Sequence, residues 1–216
     1  MKKTSIILSL ISILFVSSNI IAQNWEKKAD KDGVVVYTRS VAGSSFKEFK
    51  GETTVKSSLN ALVALVDDHD AMINWMHNCS ESKLLKRLNR TEGYNYTVTK
   101  APWPVTDRDV ITKFSLHQDP KTKVVVITLK GEKDFIPEKS GKVRVSDLKG
   151  KWQFEPLGNG NVKVTYQLHT EPSGSIPSSV ANAFVVDLPF ESLKNLRKEV
   201  TKPKYVNAKQ EGLEEL

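Results

Sequence analysis

The sequence is short of the residues that build most catalytic and redox centres. One cysteine, Cys79, stands among 216 residues, so no internal disulfide can form and stability must come from a packed core. A chain of this length is ample for one. No Gly-x-Ser-x-Gly, His-Glu-x-x-His or phosphate-binding glycine loop occurs, which excludes a nucleophile elbow, a zinc-peptidase helix and a P-loop. Internal repeats and low-complexity tracts are missing too. No catalytic residue, metal or cofactor is assigned.

Charge of one sign is in excess but nowhere concentrated. There are 32 Lys and Arg against 25 Asp and Glu, a formal +7. Interspersed charges largely cancel at a distance, so the pattern describes a solvated mixed surface rather than a nucleic-acid-binding face.

Long apolar runs are confined to the start. Lys2 and Lys3 precede an apolar stretch at residues 6–16, broken only by Ser9 and Ser12, and the small residue Ala22 precedes Gln23. That order reads as a secretory signal peptide over residues 1–22, cleaved after Ala22. The alternative is an uncleaved membrane anchor, because residues 4–22 are 19 positions long and nearly span a bilayer. No cysteine follows the run, which argues against a lipid-modified N-terminus. Export, to a bacterial periplasm, is the expectation. Without Lys2 and Lys3 the chain keeps 30 basic and 25 acidic side chains, a formal +5. That balance fits transient contact with an anionic lipid surface, and nucleic acid is no partner there.

The rest reads as one domain over residues 23–202 and a polar tail over 203–216 that is expected to fray. Residues 23–29 suggest a short amphipathic helix anchored by Trp25. A turn at Asp32-Gly33 follows, then two strand-like runs at 34–41 and 46–56. At Ser58, a suitable N-cap, the apolar spacing becomes helical through Leu59, Leu62, Val63 and Val66, and again through Met72, Ile73 and Met76. Asp67-Asp68-His69-Asp70 divides the two helices, with Asp70 as the cap of the second and the others as its solvated approach. One short loop rarely supplies a convergent ligand set, so this cluster is not taken as a metal site.

Strands are expected at 81–89, 94–100, 110–117, 124–130, 142–155 (bent near Gly150) and 162–170. Gly158-Asn159-Gly160 makes the last two a hairpin. Alternation puts Val110, Thr112, Phe114 and Leu116 on one face of their strand, and Val162, Val164, Tyr166 and Leu168 on one face of theirs. His117 and His169 fall on the opposite, polar faces. From Pro177 the apolar positions Val180, Phe184, Leu188, Leu193, Leu196 and Val200 follow a helical stripe that slips at Pro189, where a kink is expected. Such a helix must lay that stripe on something.

One stretch ties these elements together: Pro102-Trp103-Pro104-Val-Thr-Asp107-Arg108-Asp109-Val110. Each proline fixes its own backbone and restricts the residue before it, holding Trp103 extended and packed at a corner between two strands. Asp107, Arg108 and Asp109 read as an ion-paired anchor rather than an acid–base site. This stretch, Ile176-Pro177 opening the last helix, and Asn182 and Pro189 within it resemble the START (StAR-related lipid-transfer) domain family. The resemblance covers residues 25–202 and carries Pro102, Trp103, Pro104, Arg108 and Asp109 as its motif. It implies an α+β helix-grip fold: a curved antiparallel sheet wrapped around a long C-terminal helix, enclosing an apolar tunnel.

The family's sterol-binding members carry a basic residue where this chain has Phe114, which turns the expectation toward a tunnel walled by apolar and aromatic groups. The candidates are Tyr96, Phe114, Leu116, Tyr166, Phe184 and Leu188, each of which could equally be core filling. The implied function is non-catalytic binding, and transfer, of a lipid or other hydrophobic ligand by a monomer. The alternative is a cyclase- or hydrolase-like enzyme using the same cavity, since the fold alone does not exclude chemistry.

Overall fold

The computed structural model describes residues 24–145 and 147–216; the expected leader, residues 1–22, lies outside them. The elements run β1 (Glu26–Lys31), β2 (Val34–Arg39), β3 (Glu48–Lys56), α1 (Leu59–Asp67), a 3₁₀ segment (His69–Asn74), β4 (Cys79–Arg87), β5 (Glu92–Thr99), β6 (Arg108–Gln118) and β7 (Val125–Gly131). They continue with β8 (Val143–Arg144), β9 (Asp147–Gly158), β10 (Asn161–Glu171), α2 (Ser178–Phe184), α3 (Asp187–Glu199) and α4 (Pro203–Val206). The strands make one curved sheet in the order β1-β2-β3-β10-β9-β7-β6-β5-β4. Every pairing on that path is antiparallel. This is the helix-grip architecture.

Turn chemistry sets the first departure from expectation. Asp32 and Gly33 both take positive φ, 52° and 71°, which is the two-residue hairpin turn whose twist matches that of the flanking strands. The chain before it is therefore strand β1, paired to β2 from Lys31↔Val34 onward, and not a helix. Asn159-Gly160 closes β9 and β10 in the same way, with φ of 53° and 71°.

The region expected as one strand over 142–155 is divided. β7 pairs with β6 only from Thr112 to Gln118. β8 takes the same edge further down, parallel to Arg108–Asp109, before the chain moves over to become β9. The interruption precedes Asp147, and Gly150 lies within β9.

The helices cover one side of the sheet. Ser58 caps α1, its hydroxyl accepting from the Ala61 amide at 3.1 Å. Asp70 does not cap the 3₁₀ segment; it lies inside it, and Asp68, just before it, makes no side-chain cap because its carboxylate accepts from the Tyr205 hydroxyl at 2.9 Å. The last helix is interrupted at Val185–Val186, one turn before Pro189. A proline cannot donate to the carbonyl four residues back and its ring crowds that carbonyl, so the break falls at Val185 rather than at Pro189 itself.

α3 packs on β2 and β3, closest at Gly51, where a Cβ would lie 2.7 Å from Leu193 and 3.0 Å from Pro189. Val34, Val36, Phe49, Leu193 and Leu196 are buried between them. The polar tail does not fray. The Glu215 carboxylate accepts from the amides of Leu59 and Asn60, both at 2.9 Å, satisfying donors that a helix N-terminus leaves without partners. Leu213 packs on the core nearby.

The other side of the sheet is not uniformly wet. Tyr96, Val98 and Ile111 form a separate buried cluster, packed by Leu85, Tyr94 and Ile136. Phe135 stacks on Tyr94 with ring centres 4.0 Å apart. Residues 132–142 therefore cover the outer face of β5 and β6, where alternation alone had placed solvent.

Candidate functional site

Two cavities lie between the sheet and the helices. The first, about 160 Å³, is walled by Phe114, Leu116, Ile127, Leu129, Trp152 and Tyr166 from the strands and by Val63, Val66 and Met72 from the helical side. The second, about 220 Å³, lies under α2 and the start of α3, among Phe49, Ala101, Pro102, Ile176, Phe184 and Val185. Thr99, Val110, Leu148, Leu168 and Leu188 line both, so the two volumes abut. Together they reach the range of ordinary small-molecule sites, about 300–1,000 Å³.

Of the six candidate lining residues, Phe114, Leu116, Tyr166 and Leu188 face the first cavity, and Phe184 and Leu188 face the second. Tyr166 is held by stacking on Trp152, ring centres 3.9 Å apart and nearly coplanar, with Phe49 edge-on at 5.0 Å. Tyr96 faces neither cavity. It pairs with Ile111 in the ladder, one residue out of step with the cavity-facing Thr112, so its ring points to the outer cluster. Burial and the neighbouring Asp109 carboxylate push its hydroxyl well above the usual tyrosine range.

The motif also departs from expectation. Arg108 and Asp109 are consecutive residues of β6, so their side chains leave opposite faces and cannot pair. Asp109 meets Arg144 instead, at 2.9 Å. Asp107 accepts from the Ala101 amide at 3.0 Å and closes the loop. Arg108 lines the second cavity, donating to the Thr106 carbonyl and, at 3.4 Å, to that of Ser173. Burial lowers its pKa, with the Asp107 charge opposing. Trp103 does not pack at the corner. The Val105 amide closes a turn on the Pro102 carbonyl at 2.8 Å, the Trp103–Pro104 bond is cis, and the indole at the turn's tip is 94% exposed.

Asp67 and His69, expected in a solvated approach to the second helix, stand on the wall of the first cavity. His69 is 6% exposed and lines the wall with Asp67 and Arg87. Arg87 grips Asp67 with both terminal nitrogens at 2.9 Å. Burial alone would raise the Asp67 carboxyl, but the neighbouring imidazole and guanidinium outweigh it and hold it below the ordinary value. A signal for His69 was present: Leu62, Val66, His69, Met72 and Met76 follow one another at spacings of four, three, three and four, a single helical stripe. The acidic neighbours hid it. Cys79 also faces this cavity, and burial pushes its thiol up to about 11.

This architecture, an antiparallel sheet closed over abutting apolar cavities by a terminal helix, agrees with what known sequences show. The START domain family profile matches residues 19–204. The chain belongs to the START family. An uncharacterized protein of Pseudomonas aeruginosa is 40% identical over 186 residues, covering 86% of this chain and 91% of its own. The crystal structure of a STAR-related lipid transfer protein from Xanthomonas axonopodis is 38% identical and superposes with a TM-score of 0.77, covering 82% of this chain and 99% of that one. Human StAR-related lipid transfer protein 5 shares the fold at 20% identity, with a TM-score of 0.74 and coverage of 82% and 86%. In START terms, the loop bearing Trp103 and the segment bearing α2 flank the same cavity.

Proposed function

We propose that this START domain binds a lipid or other hydrophobic ligand in its paired cavities and carries it without altering it. The observation behind this reading is the pair of abutting volumes between the sheet and the helices, the second beneath α2 and the start of α3. Enclosing an acyl chain there gains about 0.8 kcal/mol per methylene, enough for useful affinity without any charged contact. Loading requires the segment from Pro172 to Val185 to swing outward, and Gly174, with a φ of 64°, sits at its base. Trp103, exposed beside Pro102 on the rim of the second cavity, supports transient docking on a membrane. Lys100, also on that rim, suits an anionic lipid surface. The leader-like residues 1–22 support export, with periplasmic work between membranes.

Native mass spectrometry of the purified protein after exposure to phospholipid vesicles tests the binding reading. One retained apolar molecule per chain is the expected result; a chain that emerges bare from every lipid mixture overturns it. Mass analysis of exported protein checks the leader, with an N-terminus near Gln23 expected.

A second reading, an enzyme acting on a hydrophobic substrate, has one observation in its favour. His69 puts a titratable imidazole on the cavity wall, 3.6 Å from Asp67. Turnover of long-chain p-nitrophenyl esters that disappears in His69→Leu would establish it.

A further inference from the structure

His69 lines the first cavity, where the strands supply mainly apolar side chains, and its hydrogen bonds are unmade. Among the described residues neither buried ring nitrogen has a hydrogen-bond partner; the Asp67 Oδ1 atom is 3.6 Å from Nε2, near enough for its charge to act but not for a hydrogen bond. Leaving a buried donor or acceptor without a partner is costly, so such groups in a folded protein call for an explanation. Packing does not supply one: the ring leans on Phe114, centres 4.7 Å apart, a contact that a phenylalanine or leucine would make without the penalty. Asp67 does not pin the ring either: both its oxygens are gripped by Arg87, and the carboxylate lies 3.6 Å from Nε2, beyond hydrogen-bond range.

The charges around His69 decide what it can receive. Asp67 and Arg87 neutralise one another at 2.9 Å. The other charged pair at this cavity, Arg90 and Glu211, is likewise joined at 2.8 Å. An ionised head would find no spare counter-charge and would lose its hydration. A hydroxyl both donates and accepts, as does a neutral imidazole, which carries one N–H and one bare nitrogen. Resting on the lipid-binding reading above, we infer that His69 anchors the polar end of the ligand, and that this end is an uncharged, hydroxyl-bearing group. The apolar body then runs along Phe114, Leu116, Ile127 and Trp152 toward the second cavity. Arg87 and Asp67 are positioning residues, holding a neutral environment beside the ring.

The test compares three chains of equal length, 1-dodecanol, 1-chlorododecane and dodecanoate, on the full domain. Each is titrated by nitrogen-detected imidazole NMR, with His69→Leu assigning the His69 signals among four histidines. Dodecanol is expected to bind about tenfold more tightly than chlorododecane, the equivalent of one good hydrogen bond, and to shift the His69 nitrogens. In His69→Leu that advantage disappears, dodecanol and chlorododecane binding alike. Equal binding of dodecanol and chlorododecane, with unmoved His69 signals, overturns the anchor and leaves the lipid-binding reading standing. Tighter binding of dodecanoate than dodecanol overturns the uncharged class. Failure of all three on folded wild-type protein overturns both readings. If His69→Leu does not fold, single replacements of His77, His117 and His169 leave the remaining signal to His69, and its shift in the wild-type protein decides.

Discussion

Arg144 meets Asp109 through a two-pronged ion pair, Nε to Oδ1 at 3.1 Å and Nη2 to Oδ2 at 2.9 Å, with the side chains only 2% and 1% exposed. The guanidinium also donates to the carbonyls of Lys133, Ile136 and Pro137, at 2.7, 3.0 and 3.2 Å. Every N–H of the arginine is thereby used. The pair joins β6 to the covering segment that shields Tyr96 and Ile111, on the face of the sheet away from the cavities. Removing one partner strands a buried charge, which costs about 3–5 kcal/mol. Asp109→Ala is therefore expected to lower the melting temperature by roughly 6–20 °C, since 1 kcal/mol corresponds to about 2–4 °C in a domain of this size. Replacing both partners by leucine is expected to cost less than the two single changes added together, read by thermal unfolding of all three variants.

Gly51 sets how closely α3 approaches the sheet. A Cβ there meets Leu193 at 2.7 Å and the rigid ring of Pro189 at 3.0 Å. Leu193 is fully buried and has nowhere to retreat. Gly51→Val is expected to destabilise the fold by about 1–3 kcal/mol through overpacking, measured by denaturant titration with an unchanged slope. Because Pro189 follows Leu188, which lines both cavities, ligand affinity is expected to fall as well.

The features legible along the chain were those written in local chemistry. Asp32-Gly33 and Asn159-Gly160 announce hairpins, and the alternation through Phe114 and Leu116 marks the cavity side of β6 correctly. What escaped depended on partners far away. Asp109 finds Arg144 35 residues later, a pairing that no spacing rule encodes, while the tempting neighbour Arg108 points the opposite way. The helix expected over residues 23–29 yields to β1 because the Asp32-Gly33 turn folds the chain back to pair with β2. Glu215 looks like part of a solvated tail until α1 supplies amides for it, and His69 looks solvated until the sheet closes over it.

Cys79 offers a chemical probe of the first cavity. Its thiol sits at about 11 because burial disfavours the thiolate, against about 8.5 for an unperturbed cysteine. At pH 8 the thiolate is on the order of two hundredfold scarcer than that of an ordinary thiol. The greater intrinsic nucleophilicity of a high-pKa thiolate restores about tenfold of this. Labelling by a disulfide reagent is expected to run about twentyfold slower than on a free thiol, from these two opposing effects. A bound ligand is expected to slow it further, since Cys79 lines the same wall as Trp152. A rate matching that of free cysteine would show that the thiol is open to water.

Trp103 is the clearest separation of stability from function in the molecule. At 94% exposure the indole adds nothing to the core, and surface substitutions of this kind usually change stability by less than about 0.5 kcal/mol. Trp103→Ala is expected to melt within about 2 °C of the parent protein. If the loop docks on membranes, the same change removes an apolar anchor contributing on the order of 1–2 kcal/mol at the interface. Binding to phosphatidylglycerol-containing vesicles, followed by co-sedimentation, is then expected to weaken by about 5- to 30-fold. Lys100→Glu on the same rim is expected to weaken binding most at low salt, because its contribution is electrostatic and screened. Vesicle binding that is indifferent to both changes would mean that the protein meets membranes by another face, and ligand loading would then have to bypass the second cavity's rim.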